Sequence, residues 1–204
     1  MRIAFYGGTF DPPHSGHLAV ALAATERFHL DRILFAPVGR QPLKPAAPEA
    51  DYESRVAMVA LLCKANASFE ASRLDAPRAD GAPNYTVDAL AALRDSMQVS
   101  LGKDAALFCI VGADSFLDLR RWRDPERLLQ LAEWIVVSRP GFSLDDLRPL
   151  ALTHEQSSRV HLLTDVDEPV SSTVIREALH RGQQPAVLPA SVAEYIRAHG
   201  LYRG

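Results

Sequence analysis

Apolar positions along this chain fall into two alternating patterns. Short continuous runs form the first: residues 3–6 (Ile-Ala-Phe-Tyr), 32–36, 105–111, 134–138 and Val160–Leu163, with a more mixed run at 68–74. Runs without polar alternation are what strands buried on both faces of a parallel sheet require. Between them, apolar residues return every three or four positions, as on one face of a helix. Leu18, Ala19, Leu22 and Ala23 do so behind His14, and Val56, Val59, Ala60 and Cys63 do so within residues 52–63. Further helices are predicted from Tyr85-Thr86, over 126–132, near 144–150, from about Ser171 and over 189–199. Strand, helix and strand in series imply right-handed crossovers, and so an α/β fold on a parallel sheet.

Candidate chemistry sits where these patterns break. Gly7-Gly8 stops the first strand and reads as a sharp turn, and Pro12 and Pro13 delay the helix until His14. A strand, a glycine turn and a helix start together suit phosphate, because freed backbone N–H groups and the helix dipole point outward there. His14 and His17 add two imidazole donors on one face of the opening turn. Other readings stay open. Gly-Gly turns also open α/β domains that bind nothing there, and the two histidines with Asp11 could ligate a metal, although no further Cys/His cluster at ligand spacing accompanies them. Neither a Walker lysine nor the three-glycine dinucleotide pattern is present.

Residues 37–48 hold Pro37, Gly39, Pro42, Pro45 and Pro48, too many breakers for an element, so they form a long loop of the kind that serves as a lid, with Lys44 on it. A second loop, 76–84, leads to Thr86, which suits an N-cap, with Asp88 in the first turn. Gly112-Ala113-Asp114-Ser115 follows the most apolar strand at its carboxyl end, where open parallel sheets bind ligands. Asp114 could accept hydrogen bonds from ribose hydroxyls or cap the short helix that follows. Arg120-Arg121-Trp122-Arg123 sets a large aromatic among three cations; Trp122 either packs or stacks on a planar heterocycle while the arginines attract phosphate. In Ser171-Ser172-Thr173-Val174-Ile175-Arg176 the hydroxyls suit a helix N-terminus, and Arg176, expected in the first turn, stands at the wrong end of the helix dipole. A bound anion would explain that placement, and a plain surface arginine is the alternative.

Composition narrows the class without choosing a ligand. The chain has 204 residues, 48% hydrophobic and 23% charged, and suits one domain, 1–204, with a small C-terminal helical part from about residue 171. A net charge of -3 gives no sign of a nucleic-acid partner. The sequence shows neither a signal peptide nor an eighteen-residue apolar span, so a cytoplasmic protein with no membrane partner is expected. Cys63 and Cys109 lie in apolar runs and read as buried, reduced thiols.

Taken whole, residues 7–18, GGTFDPPHSGHL, resemble the signature of the nucleotidyltransferases that carry a His-x-x-His pair, here His14-Ser15-Gly16-His17. Within that superfamily the chain most resembles the bacterial nicotinate-nucleotide adenylyltransferases. Lys44 matches the cation of their lid loop, with Leu43 where a histidine is usual; Ala82-Pro83-Asn84-Tyr85-Thr86 matches the segment that meets the nicotinate carboxylate. Trp122 stands where a tryptophan stacks on the pyridine ring, Arg139-Pro140-Gly141 recurs near adenine, and Val170-Ser171-Ser172-Thr173-Val174-Ile175-Arg176 departs from the family's motif only in its first residue. Gly200-Leu201-Tyr202-Arg203 resembles the family's ending.

The resemblance implies a Rossmann-like, doubly wound parallel sheet with helices on both faces. It implies transfer of AMP from ATP to nicotinate mononucleotide, with His14, His17, Lys44 and Arg176 as catalytic residues. ATP would meet Gly8, Thr9, Phe10, His14, His17, Gly112, Asp114, Arg139, Ser172, Thr173 and Arg176. The mononucleotide would meet Gly7, Gly8, Lys44, Tyr85, Thr86 and Trp122. Mg²⁺ is expected with ATP, held by phosphate oxygens and water rather than by protein ligands. A homo-oligomer is allowed. The alternatives are a sister adenylyltransferase acting on nicotinamide mononucleotide or phosphopantetheine, and a catalytically silent nucleotide-binding protein.

Overall fold

In the computed structural model, which describes residues 1–43, 46–101, 104–138, 143–164, 166 and 171–203, the apolar runs become six strands. These are β1 (Arg2–Gly8), β2 (Arg32–Pro37), β3 (Phe69–Ala71), β4 (Ala106–Gly112), β5 (Glu133–Val137) and β6 (Val160–Leu163), paired in parallel in the order β3-β2-β1-β4-β5-β6. Successive side chains leave a strand on opposite faces. Ile3, Phe5, Leu107, Cys109, Trp134 and Val136 therefore join one core, while Ala4, Phe108, Ile110 and Ile135 join the other. Both faces are apolar, which is why these strands carry no polar alternation.

The first core is closed by α3 (Thr86–Leu101), α4 (Ala113–Leu117) and α5 (Pro125–Leu131), the second by α1 (Ser15–Phe28) and α2 (Tyr52–Cys63). α6 (His154–Ser158) precedes β6. α7 (Ser172–His180) and α8 (Ala190–His199) build a third cluster, in which Ile175, Val192, Ile196 and Tyr202 meet Ala50 and Met58. β1 pairs with β2 on one side and β4 on the other, so the chain winds outward from β1 twice, in opposite directions. The crevice at that reversal is where such sheets bind ligands. No helix among the described residues is long and apolar enough to cross a membrane.

Several local expectations are corrected. β1 does not end before the glycines but runs through them, Gly7 opposite Ala36 and Gly8 opposite Pro37. α1 turns Gly16, Val20, Ala21 and Ala24 to the sheet and leaves Leu22 44% exposed, because the smaller residues let the helix lie closer to the strands. The buried side of α2 is Arg55, Met58, Val59, Leu62 and Cys63 rather than the stripe through Val56 and Ala60. Thr86 is the first residue of α3 and not its cap, since the carbonyl of Tyr85 accepts the N–H of Asp88. The strand expected at 68–74 is confined to β3, and α6, held by a Thr153 cap that accepts from Gln156 N at 3.2 Å, falls in a stretch with no apolar period to announce it. Cys63 and Cys109 are buried free thiols; burial pushes Cys63 up to about 12 and Cys109 higher.

Candidate active site

A cavity of about 1710 Å³ opens over the carboxyl ends of β1, β4 and β5 and is bordered by α1, α7 and the loop after β2. The last residues of β1 are both on the cavity and tightly packed. Gly7 and Gly8 line the cavity, and a Cβ on them would stand 2.7 Å from the Phe5 ring and 3.0 Å from the Phe10 ring respectively. Phe10 is only 2% exposed and packs edge-on to His17, with ring centres 4.9 Å apart, so its side chain supports the histidine more than it offers a ligand surface.

His14 is the extended N-cap of α1, and its backbone N–H donates to His17 Nδ1 at 3.2 Å. A backbone amide can only donate, so Nδ1 of His17 accepts and a neutral His17 carries its hydrogen on Nε2. The two rings lie 3.9 Å apart. Burial lowers the His14 pKa to about 4, and burial followed by repulsion from His14 holds His17 well below the ordinary range. Near neutral pH both are uncharged donors. The helix-start amides are less available than the sequence suggested: Ser15 N–H donates to Val187 O at 2.9 Å and His17 N–H to His14 O at 3.0 Å. Side chains therefore supply most of the donors here.

The Ser-Thr-Arg cluster touches the loop before the histidine pair. Ser171 caps α7 by accepting the N–H of Val174, while Ser172 Oγ donates to Pro12 O at 3.0 Å across 160 residues of chain. Arg176 lies in the second turn of α7 rather than the first, which removes the conflict with the helix dipole. Its Nη1 donates to Asp11 O at 2.7 Å and its Nε to Glu49 Oε1 at 3.0 Å, while the other Glu49 oxygen lies 2.8 Å from His180 Nε2. Ser171, Ser172, Thr173 and Arg176 all line the cavity.

Beneath this lies a buried set in which sequence reasoning weighs Asp11 only as a metal ligand and gives Arg55 no role. Asp11, 3% exposed, accepts from Glu49 N at 2.8 Å, Ala50 N at 3.1 Å and Tyr202 Oη at 2.6 Å. Asp11 is thus a structural anchor, and no group of three or more His, Cys, Asp or Glu among the described residues could hold a metal. Arg55, 2% exposed, donates to Thr9 O, Val38 O and Ala50 O at 2.7, 2.9 and 3.2 Å. The signal for Arg55 was present: it stands four before Val59 and seven before Leu62, a cation on an apolar stripe.

At the carboxyl end of β4, Gly112 is the N-cap of α4, so Asp114 is not a cap and stands exposed on the cavity. Thr9 also lines it, with Oγ1 3.5 Å from Gln41 Oε1. The residues expected around a pyridine ring are placed differently. Pro83 lines the cavity, but Tyr85, Thr86 and Trp122 do not. Arg123 lies 4.6 Å over the Tyr85 ring, and Trp122 packs edge-on to Trp134 at 6.2 Å. Arg121 pairs with Asp118 at 3.0 Å and Arg120 with Glu126, so these cations already have anionic partners. Lys44, Arg139 and Val170 lie outside the described residues.

Residues 5–178 match the family model described as cytidylyltransferase-like. A relative from Solibacter usitatus, named "Probable nicotinate-nucleotide adenylyltransferase", is 38% identical over 202 residues, covering 99% of this chain and all of that one. One of the same name from Chlorobium luteolum is 42% identical over 210 residues, covering 100% and 99%. The solved nicotinic acid mononucleotide adenylyltransferase of Plasmodium falciparum, complexed with NaAD, shares the fold with a TM-score of 0.75 at 17% identity, covering 98% and 97% of the two chains. From its full-length match in sequence, its sheet order and its paired histidines, the chain belongs to the nicotinate-nucleotide adenylyltransferase family of cytidylyltransferase-like proteins.

Proposed function

We propose that this protein transfers the adenylyl group of ATP to the 5′-phosphate of nicotinate mononucleotide, forming deamido-NAD and pyrophosphate as a step of NAD biosynthesis. The observation that carries this reading is the bonded pair of clusters: His14 and His17 on one wall of the cavity, Ser172 and Arg176 on the other, joined through Pro12 and Asp11. A triphosphate has enough oxygens to use both.

The reaction asks for position more than for covalent chemistry. A phosphate monoester has a second pKa of about 6, so the acceptor attacks as the dianion without a general base. Its oxygen forms a bond to the α-phosphorus as the bond to the β-phosphate oxygen breaks, and pyrophosphate leaves with that electron pair. Neutral His14 and His17 donate to the phosphates that gain charge, Ser172, Thr173 and Arg176 hold the leaving side, and Lys44 adds a further positive charge. Asp114 meets the ribose, Arg139 the adenine side, and the backbone of Gly7, Gly8 and Thr9 passes close beneath the nucleotide. Mg²⁺ would enter as part of the MgATP substrate and would supply charge neutralisation on the phosphates. Tyr85, Thr86 and Trp122 recognise the nicotinate ring and its carboxylate. The whole chain acts as one nucleotidyltransferase domain in the cytoplasm.

Incubation with ATP, Mg²⁺ and, in turn, nicotinate mononucleotide, nicotinamide mononucleotide and phosphopantetheine tests this reading. Pyrophosphate and dinucleotide should form fastest with the nicotinate acceptor. Preference for another acceptor would overturn the substrate, and absence of product with all three would overturn the activity.

A further inference from the structure

We propose that Tyr202 is a positioning residue for adenylyl transfer, acting through Asp11 to fix, in one arrangement, the loop that leads through His14 into the first turn of α1, where His17 stands, and the segment at Glu49 and Ala50. The inference rests on the activity proposed above.

Its basis is how one carboxylate gathers the site. Asp11 lies three residues before His14, on the short loop between β1 and α1. Its Oδ2 accepts the N–H of Glu49 at 2.8 Å and its Oδ1 the N–H of Ala50 at 3.1 Å, so it fixes the segment at which residues 37–48 rejoin the fold. The same Oδ1 accepts the Tyr202 hydroxyl at 2.6 Å, across 191 residues, in a contact buried from water. Hydrogen bonds to a buried carboxylate are short and strong, and those of a network reinforce one another. The loop's own carbonyls are held as well: Thr9 O by Arg55, Asp11 O by Arg176 and Pro12 O by Ser172.

The loop is thus gripped from α2, from α7 and from the segment after α8, while its other end caps α1 with His14. The Tyr202 ring belongs to the third hydrophobic cluster with Ile196 and Met58, so packing holds the ring and leaves the hydroxyl free to direct Asp11. Tyr202 takes a left-handed backbone, φ 56°, which aromatic residues rarely adopt. A residue needed only for its ring would not require a hydroxyl aimed at a carboxylate.

Tyr202→Phe keeps the ring and removes the single donor. The expected result is a fall in kcat of about tenfold, with KM for both substrates within about twofold, because the loss is one of alignment in the transition state, and a melting temperature lower by about 3–10 °C from the lost buried hydrogen bond. Wild-type kcat in Tyr202→Phe, or a change confined to KM, would overturn the proposal, since packing alone is restored by phenylalanine. The imidazole NMR signals of His14 and His17 give a readout that needs no turnover. They should shift in Tyr202→Phe while that of His161 stays, and unmoved signals would overturn the proposal even if the wild-type protein made no dinucleotide. Failure of the wild type to make product would by contrast count against the activity itself.

Discussion

The histidine end of the cavity and the surface expected to receive a pyridine ring are built in different ways. At the histidine end, Thr9, Asp11, Pro12, Glu49, Ala50, Arg55, Ser172, Arg176 and Tyr202 are cross-connected by hydrogen bonds, and the histidine rings are held against each other and against Phe10. Away from the cavity, Tyr85 lies under Arg123 and Trp122 rests on Trp134, and neither lines it. Charge that develops in a transition state is best met by donors fixed in advance, which need no reorganisation at the moment of reaction. A flat ring is recognised by surface contact, and side chains can supply that by turning onto it. The hydrogen-bonded histidine end is thus expected to govern rate, and Tyr85 and Trp122, as the proposed acceptor residues, to govern acceptor affinity.

The largest effect should come from His17. His17→Ala is expected to lower kcat by about 10²- to 10³-fold, the scale for losing a donor to transition-state charge, with the circular dichroism spectrum unchanged. Turnover close to wild type would remove the histidine end from the chemistry. Arg176→Lys should lower kcat/KM for ATP by about 10- to 100-fold, because an ammonium cannot reproduce the planar fork that now spans Asp11 O and Glu49. Full rescue by lysine would reduce Arg176 to a point charge. Trp122→Ala should raise KM for nicotinate mononucleotide by about tenfold and leave that for ATP within about twofold, as expected for one lost stacking partner. If only the melting temperature fell, Trp122 would be packing on Trp134 and nothing more, and the comparison of the two regions would lose its second half.

The smallest effect is on stability. His14 titrates at about 4 in the folded protein, against an ordinary value of 6.5, because burial opposes its charge. Between those values the unfolded chain holds a proton that the folded one does not, so this stabilisation is complete above pH 6.5 and is lost as pH falls towards 4. The loss from His14 is about 3 kcal/mol at most, and His17, shifted the same way, adds to it. Urea denaturation across this range should show the slope, and His14→Asn should flatten His14's share of it.

The sheet was legible because its strands are buried on both faces and so are apolar throughout. β6 and α2 have the bounds that the pattern predicts. The faces of α1 and α2 were less legible, because the core is lined there by Gly16, Ala21, Ala24 and a buried Arg55, which hydrophobic periodicity underweights. In the site, the histidine pair could be read from its motif and the Ser-Thr hydroxyls from their place at a helix start, whereas the dipole conflict that drew attention to Arg176 disappears because α7 begins at Ser172. The contact between the two clusters could not be read, because it runs through main-chain carbonyls of Asp11 and Pro12, and carbonyls carry no sequence signal. Tyr202 escaped for the related reason that its partner is 191 residues away. Tyr85, Thr86 and Trp122 are carried by resemblance alone, and their own sequence context does not determine which way they face.

The most direct test follows the α-phosphorus. With ATP labelled at that position, Mg²⁺ and nicotinate mononucleotide, the label should pass into the dinucleotide while the released pyrophosphate stays unlabelled, and His17→Ala should slow both products together. Label recovered in ADP, or in AMP without dinucleotide, would contradict adenylyl transfer.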